Sequence, residues 1–236
     1  MLVLLTLLYL INVNSLNLPR TWTKITVPFK EKARDWFINR AEQSGIQWYK
    51  LREYYQSPDI FSKLTENKME LDNDNIKYPW YYKKPFHGYD EGNLNWLAAQ
   101  EAEAATLNIA AGYLPEIKVD EAQKWMRQNT TDHIKDYLTA YNANIYDSSH
   151  YIDYAYPTKI LDIGCSVGIS TEHFRRTFPQ AKIWGLDLSS YFLSVAKFRA
   201  NNNNLDITYV HDNAENMRFS DNFFKLITCN FLFHEV

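Results

Sequence analysis

Lys159-Ile160-Leu161-Asp162-Ile163-Gly164-Cys165-Ser166-Val167-Gly168-Ile169-Ser170-Thr171 is the stretch on which the fold turns. An apolar run of strand length passes into a turn of small residues and then opens a helical pattern. Asp162 sits near the end of the strand and Gly164 and Gly168 sit in the turn. A strand that ends this way makes a crevice lined by the free N–H groups of the helix's first turn. Gly164 allows a sharp turn, and Gly168 allows a ligand or a helix to come close.

The pattern that follows repeats this unit. The spacing predicts strands over 159–163, 182–186, 207–210 and 224–229, with helices over 169–178 and 191–200. Ser189 or Ser190 caps the second helix, and Asn201 to Asn204 forms a turn. Strands and helices alternating at short intervals predict an α/β, Rossmann-like, doubly wound parallel sheet.

The sequence before Pro157 has a different character. Helical periodicity runs from Lys30 to Gln56, with Ala33, Trp36, Phe37 and Ala41 on one face and Gly45 dividing it in two. Residues 57–75 are polar and mixed around Pro58 and read as loop with at most one short helix. Residues 78–93 crowd aromatics, two prolines and two glycines into one non-repetitive segment, either an aromatic wall over a pocket or a connector whose rings fill a gap. An alanine-rich helix spans Leu94 to Tyr113. Asp120 and Gln123 have capping-box spacing at the head of the next helix. That helix carries a core stripe of Trp125, Met126, Ile134, Tyr137, Leu138 and Tyr141, with His133 as a packing or surface residue. A tyrosine-rich connector over 146–157 closes the region. The expected division is therefore a targeting segment at 1–15, a helical extension at 16–157 and the α/β domain at 158–236.

Bulk properties narrow the function. The chain has 236 residues, enough for one large domain or two small ones, and its net charge of −3 gives no basic field for nucleic acid. The two cysteines, Cys165 and Cys229, have no metal-ligand spacing and read as free buried thiols. The apolar run Leu2 to Val13 is too short to span a bilayer, which needs about 20 residues. It has the length of a signal-peptide core, with small residues at 13–15, but no Lys or Arg precedes it. The expected location is secretory or organellar, for example plastid, if the run is a targeting signal, and cytoplasmic otherwise.

Two ligand classes use a glycine turn of this kind. A dinucleotide site wants G-x-G-x-x-G, and that register reads Gly164, Ser166, Ile169 here. A site for S-adenosylmethionine wants an acid two residues before G-x-G-x-G, and that register reads Asp162, Gly164, Ser166, Gly168, with one small residue replacing the middle glycine. An acid there suits a ligand carrying an ammonium and a sulfonium and repels a pyrophosphate. Asp187, at the end of the second strand, can accept both hydroxyls of a ribose or cap the next helix. After the third strand, Asn213-Ala214 is the better register for an adenine ring and Asp212 competes with it.

Four ordered blocks carry a family resemblance. They are Leu161 to Gly168, Gly185 to Ser189, Asn213 to Phe219 and Asp221 to Phe231. Together they resemble the class I S-adenosylmethionine-dependent methyltransferases, and most of all the group related to the ubiquinone and menaquinone methyltransferases (methyltransferase type 11). The resemblance implies S-adenosyl-L-methionine as cofactor and a small-molecule acceptor. It implies a cofactor site made of Asp162, Gly164, Cys165, Ser166, Gly168, Asp187, Leu188, Asp212, Asn213, Ala214 and Asn230. His234 and Glu235 are candidates for a base near the acceptor. The front half, with Pro85-Phe86-His87 and Asp90 to Trp96, is similar to the helical extension of uncharacterised plant, algal and cyanobacterial members. The sequence departs from the pattern at Ser166, which requires a negative φ there, and at Asn213, where Asp is common. The family's sheet has seven strands ordered 3-2-1-4-5-7-6, and the chain ends just past the fourth. The expectation is a fragment, with a partner chain or the helical region covering the edge as the alternative. Two rival functions stay open: a nicotinamide-dependent oxidoreductase and a cofactor-binding module without catalysis.

Overall fold

The computed structural model describes residues 27–86, 88–144 and 158–232. Four strands, β1 (Lys159–Ile163), β2 (Lys182–Asp187), β3 (Thr208–His211) and β4 (Leu226–Cys229), form one parallel sheet in the order β3-β2-β1-β4. The expected α/β class and the first four places of the expected strand order are therefore present. Two helices, α6 (Ile169–Thr177) and α7 (Ser190–Asn202), make the crossovers between β1 and β2 and between β2 and β3. Ser189 caps α7, its Oγ accepting from the Phe192 N–H.

Strand alternation sets what each face of the sheet meets. Ile160, Ile183 and Leu226 point toward α6 and bury themselves with Phe174 and Phe178. Leu161 and Leu186 point the other way, onto Phe224, with Trp184, Phe219 and Phe223 packed around them. That second face is roofed by the crossover into β4 rather than by a helix. Each of these large side chains contributes about 1.5–3 kcal/mol by leaving water.

The helical region comprises α1 (Val27–Gln43), α2 (Trp48–Gln56), α3 (Pro58–Leu71), α4 (Trp96–Tyr113) and α5 (Val119–Asn144). It shares its core with the sheet domain. Tyr55, Leu64, Ala98 and Ala99 bury against Val167 of the glycine turn and Phe192, Val195 and Phe198 of α7. On α5, Ile134 and Leu138 join the cluster beneath α6. Charges pin the same seam: Arg199 of α7 pairs with Glu103 of α4 at 2.5 Å and with Glu172 of α6 at 3.0 Å. Inside the helical region Glu101, fully buried, pairs with Arg34 and Arg52 and accepts from the Tyr89 hydroxyl at 2.6 Å. One carboxylate thus ties α1, α2 and α4 to the aromatic segment.

Several sequence expectations need correction. Residues 57–75 hold a 14-residue helix rather than a loop, because Pro58 stands at the start of α3, where its missing N–H costs nothing. Ala41 of α1 is buried as expected, but Trp36 is 62% exposed and Ile38 is buried in its stead. On α5, Trp125 and Tyr137 face solvent while Ile134 and Leu138 hold the core. Asp120 and Gln123 do not form a capping box, since α5 begins at Val119 and Asp120 stands inside its first turn. α4 ends as expected at Tyr113, just past Gly112. A Cβ there would lie 2.5 Å from the Arg40 guanidinium, so the glycine serves close approach to α1. As expected, Gly45 separates α1 from α2 with φ +85°. The expectations for residues 1–15, His87, the connector 146–157, His234 and Glu235 lie outside the described residues. Among the described residues no helix is long and apolar enough to cross a membrane.

Candidate active site

A cavity of about 260 Å³ opens above the carboxyl ends of β1 and β2, where α/β sheets bind ligands. Its floor is the turn from Gly164 to Val167, together with Ile169 and Ser170 at the head of α6. Leu186, Asp187 and Leu188 at the end of β2 make one wall, with Ala214 beyond them, and Asn230 to Leu232 close the β4 side. Of the residues expected to hold the cofactor, Gly164, Cys165, Ser166, Asp187, Leu188, Ala214 and Asn230 line this one space.

Asp187 is the charged feature of the wall. Burial raises its carboxyl to about 6, against the pull of the Ser189 and Ser166 backbone N–H groups and the Tyr82 hydroxyl. The Ser166 N–H reaches one carboxylate oxygen and the Ser189 N–H the other, each at 2.8 Å. A carboxylate has about four lone-pair sites, so beside these three donors one remains open, and a second is freed where a ligand hydroxyl takes the place of Tyr82. The two amides fix its plane with both oxygens held, the arrangement a vicinal diol needs.

Ser166 adopts φ +50°, contrary to the negative angle its side chain would favour. The left-handed turn is what aims its N–H at Asp187, so the bond to the carboxylate holds a conformation usually left to glycine. Gly164 and Gly168 have positive φ as well, +65° and +80°. Gly168 lies outside the cavity lining. A Cβ on it would meet the Tyr209 hydroxyl at 2.4 Å and Ala196 at 3.0 Å, so this glycine serves the packing of the turn against α7 and β3.

Asp162 does not line the cavity either. It is fully buried on the α6 side of β1. Ser170 Oγ at 2.6 Å and Thr171 Oγ1 at 2.8 Å donate to Oδ2, while Thr228 Oγ1 at 3.1 Å and Asn230 Nδ2 at 3.2 Å donate to Oδ1. Burial raises its carboxyl, and these four donors oppose the shift. In this geometry Asp162 clamps β1, the head of α6 and the end of β4 together and so shapes the turn above it. Asp212, which is buried, and Asn213, which is half-buried, also lie outside the cavity lining. Asp212 accepts from its neighbour's N–H at 2.9 Å and from Arg218 at 3.0 Å, and Asn213 Oδ1 caps a short 3₁₀ turn through the Glu215 N–H at 2.9 Å.

The remaining walls come from the helical region, which the sequence reading did not assign to the site. Phe37 of α1, Ala98, Ala102, Ala105, Thr106 and Ile109 of α4, and Gln123, Met126 and Arg127 of α5 face the same space. Tyr82, Tyr89 and Asn93 bring the aromatic segment to its rim. The segment is thus both a wall and a brace: Tyr78 bonds His211 at 3.1 Å, Tyr81 bonds Glu215 at 2.5 Å, and Ser189 Oγ donates to the Asn93 carbonyl at 2.6 Å. The small residues on one stripe of α4 were the available signal, since alanines at 98, 102 and 105 leave room where larger side chains would fill the space.

The comparisons with known proteins bear on this domain. Residues 160–236 match the family model described as "Methyltransferase domain". The chain is 49% identical over 41 residues to the uncharacterized phycocyanin operon protein W of Pseudanabaena tenuis (strain PCC 7409), a match covering 17% of this chain and 39% of that protein. Among solved structures it is similar to the YcgJ protein of Bacillus subtilis, at 27% identity over 30% of each chain with a TM-score of 0.29. It is also similar to the plantazolicin methyltransferase BpumL in complex with SAH, at 18% identity over 56% of this chain and 48% of that one with a TM-score of 0.30. In each case less than half of the relative's length is covered. Residues 160–236, about a third of the chain, thus match a methyltransferase domain.

Proposed function

We propose that the protein to which this chain belongs transfers a methyl group from S-adenosylmethionine to a small-molecule acceptor. One observation carries the reading: the glycine turn, the paired-amide carboxylate of Asp187 and the helical region share one cavity. The residues present fit the cofactor. Asp187 offers acceptor oxygens to a ribose diol, Ala214 and Leu188 offer apolar surface to a base, and Gly164 lets the turn pass close against Leu232, whose side chain lies 2.9 Å from where a Cβ would stand. The cofactor supplies an electrophilic methyl group on a sulfonium.

What the chain's own groups contribute is position and dryness. Asp187 and the turn orient one partner. Ala102, Ala105, Ile109 and Met126 give the other partner an apolar wall and exclude water, and alignment of this kind supplies most of the acceleration in a displacement. In this reading the helical region does the work of an acceptor-binding layer. His234 and Glu235 remain the candidates for a base where the acceptor must lose a proton.

Calorimetry with S-adenosylhomocysteine tests the proposal. Binding that weakens by about 30-fold or more in Asp187→Ala, in line with the loss of charge-assisted hydrogen bonds, supports it. Absence of binding, or binding indifferent to that substitution, sinks it. Tight binding of NADH in the same instrument would point to the oxidoreductase instead.

A further inference from the structure

We propose that Gln123 and Arg127 form a carboxylate-receiving end of the cavity. The two residues are one turn apart on α5 and therefore share a face, and both line the cavity. Gln123 is 9% exposed, and its Nε2 is buried with no hydrogen-bond partner; the Arg127 Nε is in the same condition. Both atoms are donors. A buried donor without an acceptor costs about 1–3 kcal/mol, so two of them side by side mark a place built for something absent.

The neighbouring acid cannot serve them. Asp162 lies close enough for its field to act on Arg127. Its oxygens, however, already accept from Ser170, Thr171, Thr228 and Asn230, which uses the lone-pair sites a carboxylate has. On its other side the Arg127 guanidinium lies 5.7 Å from the Phe231 ring centroid, and Phe231 also lines the cavity. The arginine is thus held against an aromatic face, and among the described residues no carboxylate pairs with it. Among the described lining residues Arg127 is the one base and Asp187 the one acid.

One guanidinium matches one unit of negative charge. A planar carboxylate takes two parallel hydrogen bonds from it and leaves the amide of Gln123 to a remaining lone pair. A phosphate dianion would bring a second charge that nothing in this lining answers. Within the proposed methyltransferase reading, on which the inference rests, such a group has two sources: the amino-acid end of the cofactor, or an acidic acceptor with an apolar body that fits Met126 and the alanine stripe of α4.

Calorimetry on wild type, Arg127→Met, Arg127→Lys and Gln123→Leu separates them. The probes are S-adenosylhomocysteine, 5′-methylthioadenosine, which lacks the carboxylate, and the pair decanoate and decanol added to protein saturated with S-adenosylhomocysteine, or to free protein if the latter does not bind. Loss of about 10-fold or more for S-adenosylhomocysteine in Arg127→Met, with methylthioadenosine unchanged, assigns the site to the cofactor. The same loss for decanoate, with decanol unchanged, assigns it to the acceptor. Arg127→Lys restores part of either loss, since it keeps the charge and gives up the fork. Equal losses for carboxylate and non-carboxylate probes, or no loss for any, overturn the proposal. Failure of wild type to bind either nucleoside overturns the methyltransferase reading, while the decanoate pair still reads the Arg127 site. Ligand-free Arg127→Met melts no lower than wild type, because it removes a charge that pairs with no carboxylate among the described residues and keeps the apolar stem; a lower melting temperature would mark the arginine as structural and overturn the proposal too.

Discussion

The carboxylate of Asp187 makes the protein less stable at neutral pH than in mild acid, and the effect can be sized. Burial holds its carboxyl at about 6, against 3.8 for the free side chain. The folded state therefore prefers the protonated form more than the unfolded chain does. For an acid shifted in this direction, stability is greatest below the unfolded value and is lost as pH rises from about 4 to about 6. The full shift corresponds to about 3 kcal/mol, and the part falling between pH 4.5 and pH 7.5 to about 2 kcal/mol. Asp187→Asn abolishes this slope. It also leaves one of the Ser166 and Ser189 amides facing an NH₂ group instead of an oxygen, a pH-independent cost of about 1–3 kcal/mol. Urea unfolding of wild type and variant at pH 4.5 and 7.5 isolates the slope, because all other titrating groups cancel in the double difference. The expected double difference is about 2 kcal/mol, wild type losing the more on going to pH 7.5. A value near zero would refute the burial argument, and one of opposite sign would mean that the two amides outweigh desolvation. Ligand binding runs against stability here: affinity for S-adenosylhomocysteine is expected to fall as pH drops below about 6, where the acceptor oxygens take up a proton.

Three further outcomes are expected. Asp162→Ala orphans the buried Ser170 and Thr171 hydroxyls, while Thr228 keeps the Leu161 carbonyl and Asn230 turns to the cavity, and costs about 2–4 kcal/mol by chemical denaturation, with binding impaired only through the disturbed turn. At Ser166 the order of stability is Gly equal to or slightly above Ser, then Val, which a φ of +50° disfavours by about 1–2 kcal/mol; thermal melts decide it, and a Val variant as stable as wild type would contradict the left-handed turn. Gly185→Ala places a methyl 2.8 Å from the Tyr209 ring and 2.9 Å from Cys165 Sγ, both packed in the core, and lowers stability by about 1–3 kcal/mol in a thermal melt.

How far the sequence could be read depended on the range of the forces involved. The strands at 159–163 and 182–187 and the cap at Ser189 were legible because strand alternation and capping act over a few residues. Pro58 was misread as a breaker since a proline at the first position of a helix looks the same, in isolation, as one that ends it. Ser166 was misread because the favourable φ of a serine is a local rule, whereas its bond to Asp187 joins residues 21 apart. Trp36 and Trp125 were assigned to the core on size alone, and neither found a partner surface to bury it.

By itself, then, the sequence determined the alternation of strands and helices that marks a parallel α/β class, and the glycine turn, both products of rules that act between near neighbours in the chain. Only the tertiary structure decided which polar groups reach the cavity. It turned Asp162 inward to four donors, brought the aromatic segment against Asp187, and set Gln123 and Arg127 of α5 opposite the turn that follows β1. The physical reason is that a side chain's role follows from what lies across the space in front of it. Here that space is enclosed by helices and strands from distant parts of the chain, brought together by burial of Val167, Phe192 and Phe198 against Tyr55, Leu64 and Ala98.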